Sequence, residues 1–371
     1  MGGHIRPRNG RYQAIVAVGR RNNKTVYQSE TFDDKKEAAR WIRQQETKRD
    51  AKKPIVLRNR ITLREFVPKW ETWAKAELSP KTRILYSCFL NKYILPELGE
   101  TRLQDLEAPQ VQDFFDKLPE RLAANSRAIC YATLRQVLKV AQTWRLVEHN
   151  VCKDIAAPKR VEAEIDPPDD KTMGELLRAL KDTALWLPCL MAWGTGLRRG
   201  ELLGLRWSDV DLGDEPEVRV SRSLHQAGNE LWFGACKTKK SRRTVPLPDV
   251  VAATLREHKK EQAEQRLSLG EKYHDQGLIF SYVDGSPWKP QEFSTSFHWH
   301  TRHKGFPHVR FHDLRHAAAS TLLRANVHPK IVQERLGHST ISITLDTYSH
   351  IVPSMQREAA QTMNDVLERV S

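Results

Sequence analysis

Tyr348 lies ten residues beyond His338, in a stretch that begins Leu336-Gly337-His338. Gly337 reads as the left-handed cap of one helix and Ser339 or Thr340 as the cap of the next, so a phenol is set at a fixed distance from an imidazole. A phenol titrates near ~10, and at neutral pH it acts as a nucleophile only beside a proton acceptor and in strongly cationic surroundings. Other stretches supply both. Thr195-Gly196-Leu197-Arg198 places an arginine where glycines clear space. That arrangement suits a bidentate grip on a phosphate, with Glu201 to orient the guanidinium; capping a helix is the plainer role. Lys237 ends a predicted strand with a polar turn beyond it, from which it can reach into a cleft. Singly, Lys239, Lys240, Arg242 and Arg243 read as solvated turn charges.

Phe311-His312-Asp313-Leu314-Arg315-His316 forms a third cluster. His312 and Arg315, three apart, share a helical face. His312 and His316 are four apart, which also suits zinc, and His298, His300, His303 and His308 lie nearby. No Glu stands between the first two as in a zincin and no cysteine pair accompanies them, so no metal is expected and His316 reads as a packed or capped residue.

The elements that must hold these groups follow from length, charge and periodicity. A chain of 371 residues exceeds one ordinary core, so two or three domains are expected. Formal net charge is +14, and residues 1–60 hold 16 Lys/Arg against 6 Asp/Glu. Basic side chains added to an ordinary surface point to a polyanionic partner. The five cysteines are scattered and odd in number, with no C-x-x-C, no secretory signal and no long apolar span. A reduced cytosolic protein is expected, with the cysteines as small buried hydrophobes and no membrane partner.

Arg11–Val18 and Thr25–Thr31 read as two strands joined by the turn 20–24, followed by a helix capped by Asp33 or Asp34 with Ala38, Ala39, Trp41 and Ile42 on its apolar face. A two-stranded ribbon is thin enough for a major groove, and its turn and flanks carry Arg6, Arg8, Arg11, Arg20, Arg21 and Lys24. Residues 48–54 read as a charged linker. Thr62 and Glu65 form a capping box ahead of Phe66, Trp70 and Trp73. A helix begins at Ser79-Pro80 and stops before Pro96, and further helices cover 108–118 and 125–144. Lys81 and Arg83 stand on polar faces of this all-α segment, where they suit phosphates as well as solvent. The run 162–170 reads as an interdomain linker. Strands at 217–221 and 230–238 and a basic hairpin ending in 244–247 make a small sheet, and 317–324 reads as a helix. Ala359, Met363 and Val366 or Leu367 form an apolar stripe on a terminal helix, placed on a neighbouring subunit in preference to its own domain.

Arg198 with Glu201, then Lys237, then His312-x-x-Arg315, then Leu336-Gly337-His338 and Tyr348, together and in that order, resemble the tyrosine recombinases, most closely the phage-type integrases. The resemblance implies a multidomain α+β fold: an arm-type DNA-binding domain of β-ribbon plus helix at 1–55, an all-α core-binding domain at 60–160, and a mixed, mainly-α catalytic domain with a small antiparallel sheet at 165–371. It implies a site-specific recombinase in which Tyr348 attacks a phosphodiester to give a 3′-phosphotyrosyl bond. Arg198, Arg315 and His338 would then hold the phosphate, with His312 as general base and Lys237 as general acid. Lys239 and Arg242 would join the DNA contacts. No cofactor is implied. The partners implied are double-stranded DNA at core and arm sites, a homotetramer on that DNA, and DNA-bending or directionality proteins, in a bacterial cytoplasm beside the nucleoid. Two rivals remain at this level: a relaxase of the type IB topoisomerase kind, and a DNA-binding regulator that does no chemistry.

Overall fold

A computed structural model of the chain describes residues 3–21, 24–50, 61–118, 122–161, 166–235, 242–338, 340–342, 345, 360–361 and 363–369, with side chains at 18–21, 24, 26 and 48–50 outside the description. The chain forms two compact units, residues 1–163 and 164–371. Among the described residues no helix is long and apolar enough to cross a membrane.

The first unit opens with three strands, not two: β1 (His4–Arg8), β2 (Arg11–Arg21) and β3 (Lys24–Phe32), antiparallel in that order. The extra strand has no apolar alternation, which hid it, but Asn9 and Gly10 both take left-handed φ (49° and 75°) and close a two-residue hairpin turn. Arg20, Arg21 and Lys24 accordingly belong to strands and not to a wide turn. Helix α1 (Lys35–Asp50), whose Lys36 N–H donates to Asp34 at 3.1 Å, covers one sheet face and buries Ala38, Trp41 and Ile42 against Ala14 and Val16. This helix runs through the start of the expected linker; residues 51–60 lie outside the described residues.

The helices that follow have a separate core. In α2 (Leu63–Glu77) the Thr62–Glu65 capping box is present and Leu63, Phe66 and Trp70 are fully buried. Next comes α3 (Pro80–Phe89), capped by Ser79, and its path does not stop before Pro96. A π turn over Leu90–Ile94 intervenes, and Pro96 enters the first turn of α4 (Leu95–Leu98), where a missing N–H costs least. Helices α5 (Ala108–Asp116) and α6 (Ala124–Thr143) complete the layer. Cys130 and Cys152 are buried as expected, whereas Cys88 is exposed.

In the second unit Asp169 caps α7 (Asp170–Leu180), which buries Met173, Leu176, Leu177 and Leu180 at helical spacing, each contributing about 1.5–3 kcal/mol. Helix α8 (Trp186–Thr195) ends at Gly196, and α9 (Arg199–Leu203) follows at once. The expected single sheet is split in two. Strands β4 (Val210–Asp211), β5 (Glu217–Val220) and β8 (Arg243–Pro246) form one; β6 (Arg222–Ala227) and β7 (Glu230–Ala235) form a separate hairpin. The 230s strand thus pairs with a strand that has no apolar alternation to announce it. Helices α10 (Asp249–Leu269) and α11 (Pro290–His303) lead to α12 (Phe311–Arg324) and α13 (Pro329–Leu336). Helix α12 starts at Phe311, earlier than expected, so His312 and Arg315 stand in its first turns. Its Ala317-Ala318-Ala319-Ser320 run is buried, and these small side chains let α12 pack closely on α8.

Candidate active site

Three consecutive carbonyls at the end of α13 organise the site. The last carbonyls of a helix have no intrahelical donor and carry the negative end of its dipole, so they attract guanidinium groups. The Arg335 carbonyl accepts from Arg243 Nε at 2.6 Å, the Leu336 carbonyl from Arg315 Nη2 at 2.7 Å, and the Gly337 carbonyl from Arg198 Nη2 at 3.4 Å. His338 follows directly, its N–H donating to the Gln333 carbonyl at 3.1 Å and its carbonyl accepting from Gln333 Nε2 at 2.9 Å. Gly337 closes the helix at φ 68°, with the Arg243 side chain directly beneath: a Cβ there would lie 2.9 Å from Arg243 Nη1. Only glycine meets both conditions without strain.

Arg315 is 3 % exposed, and its Nη1 donates to the Gly196 carbonyl at 2.5 Å. Gly196 caps α8 at φ 69°, and a Cβ there would fall 2.5 Å from Leu336 Cδ2. The two helix ends that these glycines close therefore hold Arg315 between them through neutral carbonyls.

Glu201 is 4 % exposed and carries the second set of contacts. Its Oε1 accepts from Arg198 Nη1 at 2.7 Å, and its Oε2 from the Arg198 N–H and Arg243 Nη2, both at 3.0 Å. Burial pushes this carboxyl up, but Arg243 and then Arg198 outweigh it and hold the group below its usual range. Arg199, the neighbour with which Arg198 is most easily confused, instead donates to Ser294.

His312 is exposed, its ring edge-on to His316 at 4.8 Å between centroids. Crowding by protein, then the charge of Arg315, lowers the His312 pKa. Burial, then His312, pushes His316 down to about 4; burial, then Arg315 and Arg198, pushes His338 down to about 3. His316 and His338 are therefore neutral at pH 7, and His312 is shifted toward its neutral form. In an unfolded chain a histidine titrates near ~6.5. Below that pH the unfolded state binds protons that folded His316 and His338 refuse, so stability falls as pH drops from about 6.5 toward 4 and 3. Thermal melts of His338→Gln are expected to show a shallower acid limb than the parent; an identical slope refutes this.

The structure thus gathers Arg198, Glu201, His312, Arg315 and His338. Lys237, Lys239 and Tyr348 lie outside the described residues. Arg243 corrects the sequence reading. It is no solvated turn charge: its side chain is 7 % exposed. Strand alternation was the available signal, because Arg243 has the same parity as the buried Val245 and Leu247. Arg335 was also missed; it donates to the carbonyls of Gly194 at 2.7 Å and Pro246 at 3.0 Å, tying α13 to α8 and β8.

Of the expected DNA contacts, Arg8, Lys81 and Arg242 are exposed and Arg83 is half-buried. Arg6 donates to Gln13 at 2.9 Å, and Arg11 is committed to Asp33 at 2.5 Å. The side chains of Arg20, Arg21 and Lys24 are not described.

Residues 169–355 match the phage integrase family, and residues 62–118 match the N-terminal SAM-like domain of phage integrases. A "Tyrosine recombinase XerC-like" protein of Caldanaerobacter subterraneus subsp. tengcongensis is 30% identical over 97% of this chain and 97% of its own. The integrase of Mycobacterium phage D29 is 28% identical over 97% of this chain and 95% of its own. Among solved structures, the Tn1549 transposon integrase in complex with transposon right end DNA has the same fold, with a TM-score of 0.67 at 18% identity over 81% of this chain and 100% of that one. Family match, relatives and site geometry agree: the chain belongs to the phage integrase family and is a tyrosine recombinase.

Proposed function

We propose that the protein integrates or excises a mobile element by cleaving and rejoining DNA at specific sites through a 3′-phosphotyrosyl intermediate. The observation that carries this reading is the anchoring of Arg198 and Arg315 on adjacent carbonyls immediately before His338. Two fixed guanidinium groups and a neutral imidazole suit the charge that develops on nonbridging phosphate oxygens during attack. In this reading Tyr348 Oη bonds to phosphorus as the bond to the 5′ oxygen breaks. His312, its pKa lowered by crowding and by Arg315, takes the phenolic proton, and Lys237 supplies one to the leaving oxygen. The new ester keeps the energy of the old, so another strand's hydroxyl reverses it without ATP.

Three domains share the work: 1–55 binds arm sites, 60–160 and 165–371 bind the core site, and four copies act across two duplexes with accessory proteins setting direction. Arg6, Arg8, Lys81, Arg83 and Arg242 supply phosphate contacts, with Arg11 released from Asp33 on binding. Residues 363–369 leave Met363, Val366 and Leu367 exposed on a helix, an apolar stripe suited to a neighbouring subunit.

The test is a suicide duplex, nicked beside the crossover and drawn from DNA flanking the gene. A covalent adduct whose modified peptide contains Tyr348 is expected. Specific binding with no adduct would move the reading to a regulator, and relaxation without strand exchange to a relaxase.

A further inference from the structure

Arg243 opens β8, the strand that follows the segment carrying Lys237, and its guanidinium touches two other parts of the site at once. Nε donates to the Arg335 carbonyl and Nη2 pairs with Glu201 Oε2. Glu201 spends its other oxygen and part of this one on Arg198. The Arg243 side chain is 7 % exposed and lies under Gly337, one residue before His338. A group so enclosed has no face to offer DNA.

We propose that Arg243 is a positioning residue for strand cleavage: it locks Glu201, and through it Arg198, to the turn that presents His338. This rests on the recombinase reading above. Without Arg243, the Glu201 carboxylate loses a cation, the Arg335 carbonyl loses a donor and Gly337 loses the side chain packed beneath it. Arg198 then keeps its charge but not its aim. The loss should therefore be felt wherever the scissile phosphate needs a fixed cation, and little elsewhere. A lysine at this position keeps a charge beside Glu201, but its single ammonium cannot reproduce the fork to both partners.

The experiment compares Tyr348 adduct formation on two suicide duplexes that differ only at the scissile group, a phosphodiester or a neutral methylphosphonate. Replacing one nonbridging oxygen by methyl removes the negative charge of the phosphodiester and leaves only the charge that develops during attack, so the demand on Arg198 is lower. With Arg243→Met, adduct formation on the phosphodiester is expected to slow by about 10²–10³-fold, the usual effect of losing one oriented donor, and on the methylphosphonate by less than about tenfold. DNA affinity should be unchanged. Arg243→Lys is expected to fall between parent and Arg243→Met with the same selectivity, and it decides the matter if Arg243→Met does not fold. Equal slowing on both duplexes would mean a merely structural role, and no slowing would mean none; either overturns the proposal. A parent protein that makes no adduct on either duplex instead overturns the recombinase reading, and this inference with it.

Discussion

Tyr348→Phe is expected to lower covalent adduct formation by more than about 10⁴-fold, as loss of a nucleophile does, while binding to the same DNA changes by less than about tenfold. The substitution removes one oxygen and keeps the ring. The hydroxyl is the only atom that the mechanism needs from this side chain. Denaturing gels would read the adduct, and equilibrium titration at one fixed salt concentration the affinity, since phosphate contacts make affinity depend strongly on salt. A regulator of the same fold would behave identically with tyrosine or phenylalanine. Residual adduct in the variant, mapped to another residue, would mean that the nucleophile had been misassigned.

Arg315 gives the second large effect, and it separates charge from geometry. Arg315→Ala leaves the Gly196 and Leu336 carbonyls without this donor in a buried setting, at about 1–3 kcal/mol each. For a unit near 200 residues, a total of about 3 kcal/mol corresponds to a fall in Tm of roughly 6–12 °C. Cleavage should drop by at least about 10³-fold, because one fixed cation is lost and the turn before His338 loses an anchor. Arg315→Lys retains a charge and a donor for these carbonyls but lacks the planar fork that meets one with Nη1 and the other with Nη2. It is expected to recover much of the stability and little of the rate. Near-parental cleavage by the lysine variant would show that charge alone suffices and that the fork is dispensable.

Local signals in the sequence were reliable where one or two neighbouring residues decide the outcome. The Thr62–Glu65 box, the Ser79-Pro80 start and the glycine cap at 337 each satisfy backbone groups within a few residues, and each appears in the structure. Pairing between segments was less legible. Strands β1 and β6 lack the apolar alternation that marks a half-buried strand, so β7 was assigned to the wrong sheet and the N-terminal ribbon was one strand short. Pro96 misled for a related reason: a preceding π turn places it at the start of a new helical turn, where proline is tolerated.

By itself, the sequence determined which reactive side chains this protein carries and in what order: guanidinium groups suited to a phosphate, imidazoles suited to moving a proton, and a phenol ten residues beyond His338. Tertiary structure decided how the arginines among them are held. Arg242 and Arg243 are adjacent and chemically identical, yet one is exposed while the other is buried on Glu201, because strand alternation and the packing of α13 favour one parity. The partners that fix Arg198, Arg243 and Arg315 include three successive backbone carbonyls at the end of α13. Every residue carries a carbonyl, so their role leaves no mark in the sequence; it emerges only when the helix ends there, with its last acceptors unpaired and three arginines folded against them.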